Sequence, residues 1–329
     1  MKKVTLKDIA QKTGYTANTV SRALKGKKDI SEKTRNHINN IANKMGYIPN
    51  NIAGSLRSGK TRTIATIVPD ISDPLIAIWL NDVETRLRIN KYNTFIINTE
   101  EKYENEEEAV ILALSKNVDG IILCPTQKKN DDIKMLARLG MPFILLGRRF
   151  YDIDTDFVIS DDIKGAFLAI NHLLNKGYRD ILFINGPTYI SSARERLEGY
   201  KKAFRSGGLA YKEELVMECG VTAGNCTLIM KEIIDKKLNF DSVFAFSDLM
   251  AWEIISTLQN INMSRYGNLP VIGYDNIQSR FFYPFPLTTV SYPKRQMAYQ
   301  AVDILLSKIR GETQNDYEQH IVDTRLVIR

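Results

Sequence analysis

Three side chains close together near the start of the chain carry the chemistry that reads the edges of base pairs. Arg22 can give two parallel hydrogen bonds to guanine O6 and N7, and Asn18 can do the same to adenine N6 and N7. Ala17 can pack on a thymine methyl. Around them Lys2, Lys3, Lys25, Lys27, Lys28 and Lys33 are point charges suited to phosphates, which add affinity but no sequence information. The first sixty residues hold thirteen Lys and Arg against three Asp and Glu, a surplus of ten in a chain of net charge +7. A basic end on a nearly neutral body points to a polyanion as the partner of that end alone.

A base-reading face needs a rigid support, and local signals place three helices there. Thr5 can cap the first, with Asp8 at its third position and Leu6, Ile9 and Ala10 as its apolar stripe; Gly14 ends it. Thr16 can cap a second, Ala17–Leu24, which buries Val20 and Leu24 and exposes Ala17, Asn18, Ser21 and Arg22. Ser31 caps a third, with Ile38, Ile41, Ala42 and Met45 inward, ending at Gly46 before Pro49. Two short helices joined by a Gly turn and braced by a third form a helix-turn-helix unit, whose second helix enters the major groove.

The segment Asn50–Ser58 has a helical pattern too short to be stable alone, and Gly54 weakens it further. It is expected to order only against a second copy or DNA, with Leu56 as an apolar wedge for the minor groove. Gly54–Thr61 also matches the phosphate-loop pattern GxxxxGK[ST]. A working phosphate loop follows a strand and opens a helix, whereas here the strand-like Thr63–Val68 comes after it. Lys60 and Arg62 read better as linker charges.

The remainder alternates short apolar runs with amphipathic stretches. Strands are expected at Ile64–Val68, Thr94–Asn98, Gly120–Cys124, Phe143–Leu146, Phe157–Ile159, Ile181–Ile184, Ser242–Phe246 and Leu269–Gly273. Helices are expected at Trp79–Asn90, Asn105–Lys116, Ile163–Lys176, Arg194–Gly207 and Met250–Asn260. That order implies an α/β body of parallel sheets flanked by helices, in two lobes with a crossing near Asp161. Ligands bind such sheets beyond the carboxyl ends of the strands. The groups stationed there are Arg196, a rigid fork of donors, and the acceptors Asp73, Asp248 and Asp275, a set suited to the vicinal hydroxyls of a sugar. The competing role of Asp248 and Asp275 is to cap the helix that follows. The charge run Glu100–Glu108 reads as a solvated helix start.

Other classes find little support. His37, His172 and His320 are isolated, no HExxH or GxSxG signature occurs, and no enzyme, metal or cofactor is expected. Cys124, Cys219 and Cys226 make neither a disulfide framework nor a CxxC pair, which suits a reducing compartment. The N-terminus lacks the apolar core of a signal peptide, and no run approaches the ~20 apolar residues of a membrane span. A cytoplasmic protein without membrane attachment is expected.

These residues resemble the lactose/galactose repressor (LacI/GalR) family across nearly the whole chain. The likeness is carried by the head, the Tyr47–Asn50 turn, the Ala53–Leu56 hinge, Val68–Pro74, Asn117–Leu123, Ile272–Asn276, Pro286–Val290 and Thr324–Arg329. The resemblance implies a small all-α DNA-binding head, residues 1–49, and a hinge and linker, residues 50–60. It also implies a two-lobed periplasmic-binding-protein-like core, residues 61–329, crossed three times by the chain. Lobe 1 would comprise about 61–160 and 291–320, and lobe 2 about 161–290 and 321–329. Thr5, Leu6, Thr16, Ala17, Asn18, Thr19, Ser21, Arg22, Tyr47, Asn50, Ala53 and Leu56 match its DNA-contacting positions. Leu75, Ser192, Arg196, Asp248 and Asp275 match its effector-pocket positions. Two departures stand out: Gly147 replaces a pocket Asp of many relatives, and Val221 an aromatic that often stacks on the effector.

The expected function is a homodimeric transcriptional regulator, a repressor of carbohydrate-use genes, binding double-stranded operator DNA under control of a sugar-like small molecule. No apolar heptad helix of the kind carried by tetrameric relatives precedes Arg329, which favours a dimer. The alternatives are control by a protein co-regulator, or a sugar-binding protein that does not bind DNA.

Overall fold

The computed structural model describes residues 4–48, 59–222, 224–260, 269–281, 286–312 and 316–329. The chain divides into two compact units, Met1–Thr61 and Arg62–Arg329. The expected hinge helix at Asn50–Ser58, with Asn50, Ala53 and Leu56, lies outside the described residues.

In the head, Thr5 and Asp8 close a reciprocal capping box at the start of α1 (Leu6–Thr13). The Thr5 hydroxyl accepts from the Asp8 N–H at 3.3 Å, and the Asp8 carboxylate accepts from the Thr5 N–H at 2.7 Å. Gly14, at φ 73°, makes the left-handed exit that side-chain-bearing residues resist. Thr16 caps α2 (Ala17–Leu24) and Ser31 caps α3 (Glu32–Lys44), each through a hydroxyl that accepts an N–H three residues on. Ile9, Val20, Ala23, Ile38 and Ala42 form the centre of the head, with Leu24, Ile41, Met45 and Tyr47 packed around it.

The second unit contains two six-stranded sheets. The strands of the first are β1 (Thr63–Val68), β2 (Asn93–Asn98), β3 (Gly120–Leu123), β4 (Phe143–Leu146), β5 (Phe157–Ser160) and β11 (Gln319–Val322). Their spatial order is β11-β5-β4-β3-β1-β2. The second has β6 (Ile181–Asn185), β7 (Val216–Glu218), β8 (Ser242–Ala245), β9 (Val271–Tyr274), β10 (Thr288–Ser291) and β12 (Arg325–Val327), in the order β12-β10-β9-β8-β6-β7. All neighbours pair in parallel except β10 with β12. The central strands are buried throughout, as strands covered by helices on both faces must be.

Helices α4 (Pro74–Ile89), α5 (Tyr103–Ser115), α6 (Asp131–Arg138) and α11 (Lys294–Arg310) serve the first lobe. Helices α7 (Asp162–Asn175), α8 (Ser191–Ser206), α9 (Asn225–Asp235) and α10 (Asp248–Asn260) serve the second. The chain crosses between lobes at Asp161, at Tyr292–Pro293 and at Asp323–Thr324. The last crossing falls later than the expected break at 320, because Ile321 and Val322 still pair with β5.

All eight expected strands occur. Helix α4 starts at Pro74 rather than at Trp79, because the Asp73 carboxylate accepts from the Leu75 N–H at 2.7 Å and Pro fits the first helical turn. Among the described residues, no helix is long and apolar enough to cross a membrane.

Candidate functional site

On the head, Ala17, Asn18 and Arg22 occupy the exposed side of α2, opposite the buried Val20 and Ala23. Thr5 and Thr16 are exposed, while Leu6, Thr19, Ser21 and Tyr47 are half-buried. The Thr16 and Thr19 hydroxyls are hydrogen-bonded to each other at 2.9 Å. The Arg22 guanidinium is not idle. Its Nε donates to the Asp29 carboxylate at 2.8 Å and its Nη2 lies 2.7 Å from the same oxygen, with the two side chains 46% and 50% exposed. A solvated pair of this kind is weak, so a guanine edge can displace Asp29 at little cost.

In the core, a cleft opens where the carboxyl ends of both sheets converge. Its volume, mouth included, is about 800 Å³. Asp73 caps α4 and Leu75 lies in its first turn, Arg148 follows β4, and Ser160 ends β5. Ser192 and Arg196 come from α8, Phe246 and Ser247 follow β8, Asp275 follows β9 and Tyr292 follows β10. Asp73, Leu75, Ser192, Arg196 and Asp275 thus meet at one cavity although they are scattered over two hundred residues of sequence.

Asp248 is not brought to that lining. Its carboxylate accepts from the Ile277 N–H at 2.8 Å and from the Thr289 hydroxyl, and only 1% of the residue is exposed. It holds the Asp275 loop from behind. That loop is bent sharply, with φ 101° at Asp275 and 50° at Asn276, a conformation that costs non-glycine residues energy and needs such external ties.

Arg196 is fixed on all sides. Its Nε donates to Asp162 at 2.8 Å, its Nη1 donates to the Phe246 carbonyl, and its guanidinium lies 4.3 Å from the Phe246 ring and 3.6 Å from the Tyr274 ring. Asp275 lies 3.9 Å from Nη2, and the Tyr292 hydroxyl donates to Asp275 at 3.1 Å. Burial pushes the Asp275 carboxyl upward, against the pull of Arg196 and Lys294. Burial by the cleft walls, then the charge of Asp275, raise Asp73 to about 7.

Sequence reasoning missed several wall residues. Arg148 is paired with Glu101 through both ends of its guanidinium, and the two side chains are 10% and 12% exposed. Glu101 had been assigned to a solvated charge run. Within that run Glu106 is buried and accepts from the Thr126 N–H, so the reading of Glu100–Glu108 as a solvated helix start holds for Glu100, Lys102, Glu104, Glu107 and Glu108 and is corrected for Glu101 and Glu106. Cys124 lines the cleft, and burial pushes its thiol up to about 12, which leaves it a small neutral wall group. Trp79 lines it as well. Its ring fills the space beside Gly147, where a Cβ would come within 2.4 Å of the indole and where φ is +79°. The indole Nε1–H is buried without a hydrogen-bond partner.

Among the described residues, polar ties between the lobes include two clusters away from the Lys294 donation to the Asp275 carbonyl. Asp82 of α4 accepts from Arg280 at 2.8 Å, with Arg295 3.5 Å away. Elsewhere Arg149 and the Tyr151 hydroxyl both donate to Glu195 of α8, at 2.6 Å and 2.7 Å, and the Ser191 N–H donates to Gln127 at 2.8 Å. All these ties are polar.

Two family profiles match the chain in succession. "Bacterial regulatory proteins, lacI family" covers residues 5–50, and "Periplasmic binding proteins and sugar binding domain of LacI family" covers residues 61–328. The chain is similar to the HTH-type transcriptional repressor PurR of Vibrio atlanticus (strain LGP32), at 27% identity over 97% of this chain and 95% of that one. Among solved structures it is similar to a transcriptional regulator CelR–cellobiose complex, at 26% identity and a TM-score of 0.75 over 99% of each chain. It shares the fold of a lac repressor dimer bound to operator and the anti-inducer ONPF, at 22% identity and a TM-score of 0.87 over 100% of this chain and 98% of that one.

Proposed function

The chain belongs to the LacI family of bacterial regulatory proteins, and on that premise we propose that it is a cytoplasmic, homodimeric repressor of carbohydrate-use genes. Residues 1–49 read a pseudo-palindromic operator, residues 50–60 link, and residues 61–329 sense a sugar-like small molecule. One observation carries the reading. A basic three-helix head exposing Ala17, Asn18 and Arg22 is joined in one chain to two sheets whose strand ends converge on a polar cleft. An enzyme has no use for the first, and a transport-type binding protein has none either.

Two heads place their α2 helices in successive major grooves about 34 Å apart. Thr5, Leu6, Thr16, Thr19, Ser21, Tyr47, Asn50, Ala53 and Leu56 complete the DNA-contacting set, and Arg22 exchanges Asp29 for a guanine. In the cleft, Asp73, Leu75, Ser192, Arg196 and Asp275 contact the effector, and Asp248 supports Asp275. Effector binding changes closure of the lobes and with it the disposition of the paired heads. Linkage then requires DNA and effector to alter each other's affinity by the same factor.

The test is operator selection from random duplexes with the full chain, followed by titration of the selected duplex with a sugar panel. A palindromic site whose affinity changes with one sugar is the expected result. Binding by a single copy, or indifference to sequence, overturns the DNA reading. An operator that ignores every sugar but responds to a protein carrier replaces the effector with a co-regulator.

A further inference from the structure

Cys219 and Cys226 stand seven positions apart in the chain, and their sulfurs lie 3.6 Å apart within the apolar core of the second lobe. Cys219 follows the end of β7, and Cys226 sits in the first turn of α9. Both are free thiols and both are buried, at 2% and 1% exposure. Between them in sequence come two residues of the cleft wall, Val221 and Thr222. This stretch is already held near the shape a covalent bridge needs. The Cys219 N–H donates to the Asn185 carbonyl at 2.8 Å. The Asn225 side-chain amide donates to the Thr222 carbonyl at 3.0 Å and to its hydroxyl at 2.6 Å. The Gly224 and Thr227 N–H groups donate to Glu253 at 3.1 Å and 2.8 Å. A disulfide asks the two sulfurs to close by about 1.5 Å, a distance that side-chain rotation supplies.

We propose that Cys219 and Cys226 form a redox site, which a hydroperoxide oxidises to an internal disulfide that fixes the Val221 and Thr222 rim of the cleft. The Cys226 S–H, donated to Cys219, lowers the Cys219 thiol from its ordinary value against burial and the charge of Glu253, and the same bond raises Cys226. Cys219 is therefore the nucleophile. Its thiolate attacks one oxygen of hydrogen peroxide and the O–O bond breaks. The sulfur becomes a sulfenic acid, and the departing hydroxide takes up the thiol proton and leaves as water. The Cys226 sulfur then attacks the sulfenic sulfur, the S–O bond breaks, and that hydroxyl leaves as water with the Cys226 proton. The two sulfurs give up two electrons in all, and the peroxide receives them. Access comes from the short stretch between them, where Gly220, Thr222 and Gly224 are exposed and local opening disrupts little packing. A bond made and unmade in a reducing compartment acts as a sensor. The site does not depend on what fills the cleft; its effect on a ligand rests on the reading that the cleft holds an effector.

The full chain is reduced, freed of reductant and treated with hydrogen peroxide, and its remaining thiols are alkylated before tryptic digestion. Peptide 213–231 carries both cysteines, and Cys124 falls in another. The expected product is that peptide unalkylated and lighter by two hydrogens, with Cys124 still alkylated because burial keeps its thiol protonated, and dithiothreitol restores both thiols. Hydrogen exchange at the Val221 and Thr222 amides should slow by roughly tenfold or more on oxidation, as local opening is suppressed. In Cys226→Ser the bridge should give way to a sulfenic acid on Cys219 that dimedone traps, with exchange at both amides unchanged by peroxide. Two alkylated cysteines after peroxide, or oxidation to sulfinic acid without a bridge, overturns the redox site. A bridge that leaves exchange at Val221 and Thr222 unaltered overturns its hold on the rim. Neither duplex nor sugar enters the measurement, so these failures leave the proposed function standing, and its failure leaves the redox result standing.

Discussion

Arg22 in the head and Arg196 in the core are each paired with an aspartate, and the settings of the two pairs could hardly differ more. The Arg22–Asp29 pair is about half exposed on both sides, while Arg196 and Asp162 are 6% and 2% exposed. In the first, water competes for both partners and the bond is a resting place for a side chain with other business. In the second, each charge depends on the other, because neither can be solvated. On the proposed reading, the arginine that finds a base sits in a pair it can leave. One that must hold the floor of a cavity sits between two aromatic rings.

The largest test of that contrast is Arg196→Ala. It strands Asp162 in the interior and should cost the core about 3–5 kcal/mol, read from its urea midpoint. A loss under about 1 kcal/mol would show that the pair is not structural. Arg22→Ala should leave that midpoint in place and instead weaken operator binding by about 1–3 kcal/mol, with relaxed preference at one base pair. A uniform loss over all duplexes would reassign Arg22 to phosphate.

A pH titration sharpens the comparison next. Burial first, then the charge of Asp275, raise Asp248 to about 8, and Asp73 stands at about 7. Carboxyls raised in the folded state keep protons that the unfolded chain releases at its ordinary aspartate value of 3.8. Their stabilising contribution is therefore complete below that value and is lost as pH rises through about 7 to 8. The core should lose stability from about pH 4 to 8, with a slope of roughly 1.4 kcal/mol per pH unit for each such carboxyl at its steepest. Asp248→Asn should flatten that slope; an unchanged profile would remove Asp248 as its source. The smallest effect belongs to Asp29→Ala, within about 0–1 kcal/mol on head stability, with operator binding unchanged or tighter because Arg22 is released. Weaker binding would mean that the pair positions Arg22 rather than merely parking it.

Legibility followed the range of the interactions. Helix α2 was readable to the residue because Thr16 and its apolar spacing are local, and eight strands were readable as short apolar runs, whereas the buried but Thr- and Ser-rich β10 was not. Asp73, Arg196 and Asp275 were found because strand ends in parallel sheets face one side. What escaped depends on distant partners. Glu101 looks solvated beside its charged neighbours, and only the fold shows Arg148 against it. Strand β7, of three residues at a sheet edge, carries too little pattern to be recognised, and helices α6, α9 and α11 went unassigned. Cys219 and Cys226, which suggested no pairing by spacing, stand with sulfurs 3.6 Å apart because a strand end and a helix start fold together. For Asp248, the same strand-end position fits a wall residue and a buried brace equally, and the ties to Ile277 and Thr289 come from 29 and 41 residues further along the chain.

The threefold passage between lobes has a consequence for how the molecule is made. Helix α11 and strand β11, which cover and flank the first sheet, are translated only after all but the last strand of the second lobe. On the ribosome the first lobe therefore waits with an apolar face uncovered, while the head, whose packing is complete within the first fifty residues, has already left the exit tunnel. A nascent chain thus carries a finished reader and an unfinished sensor, a stage at which chaperones have most to protect.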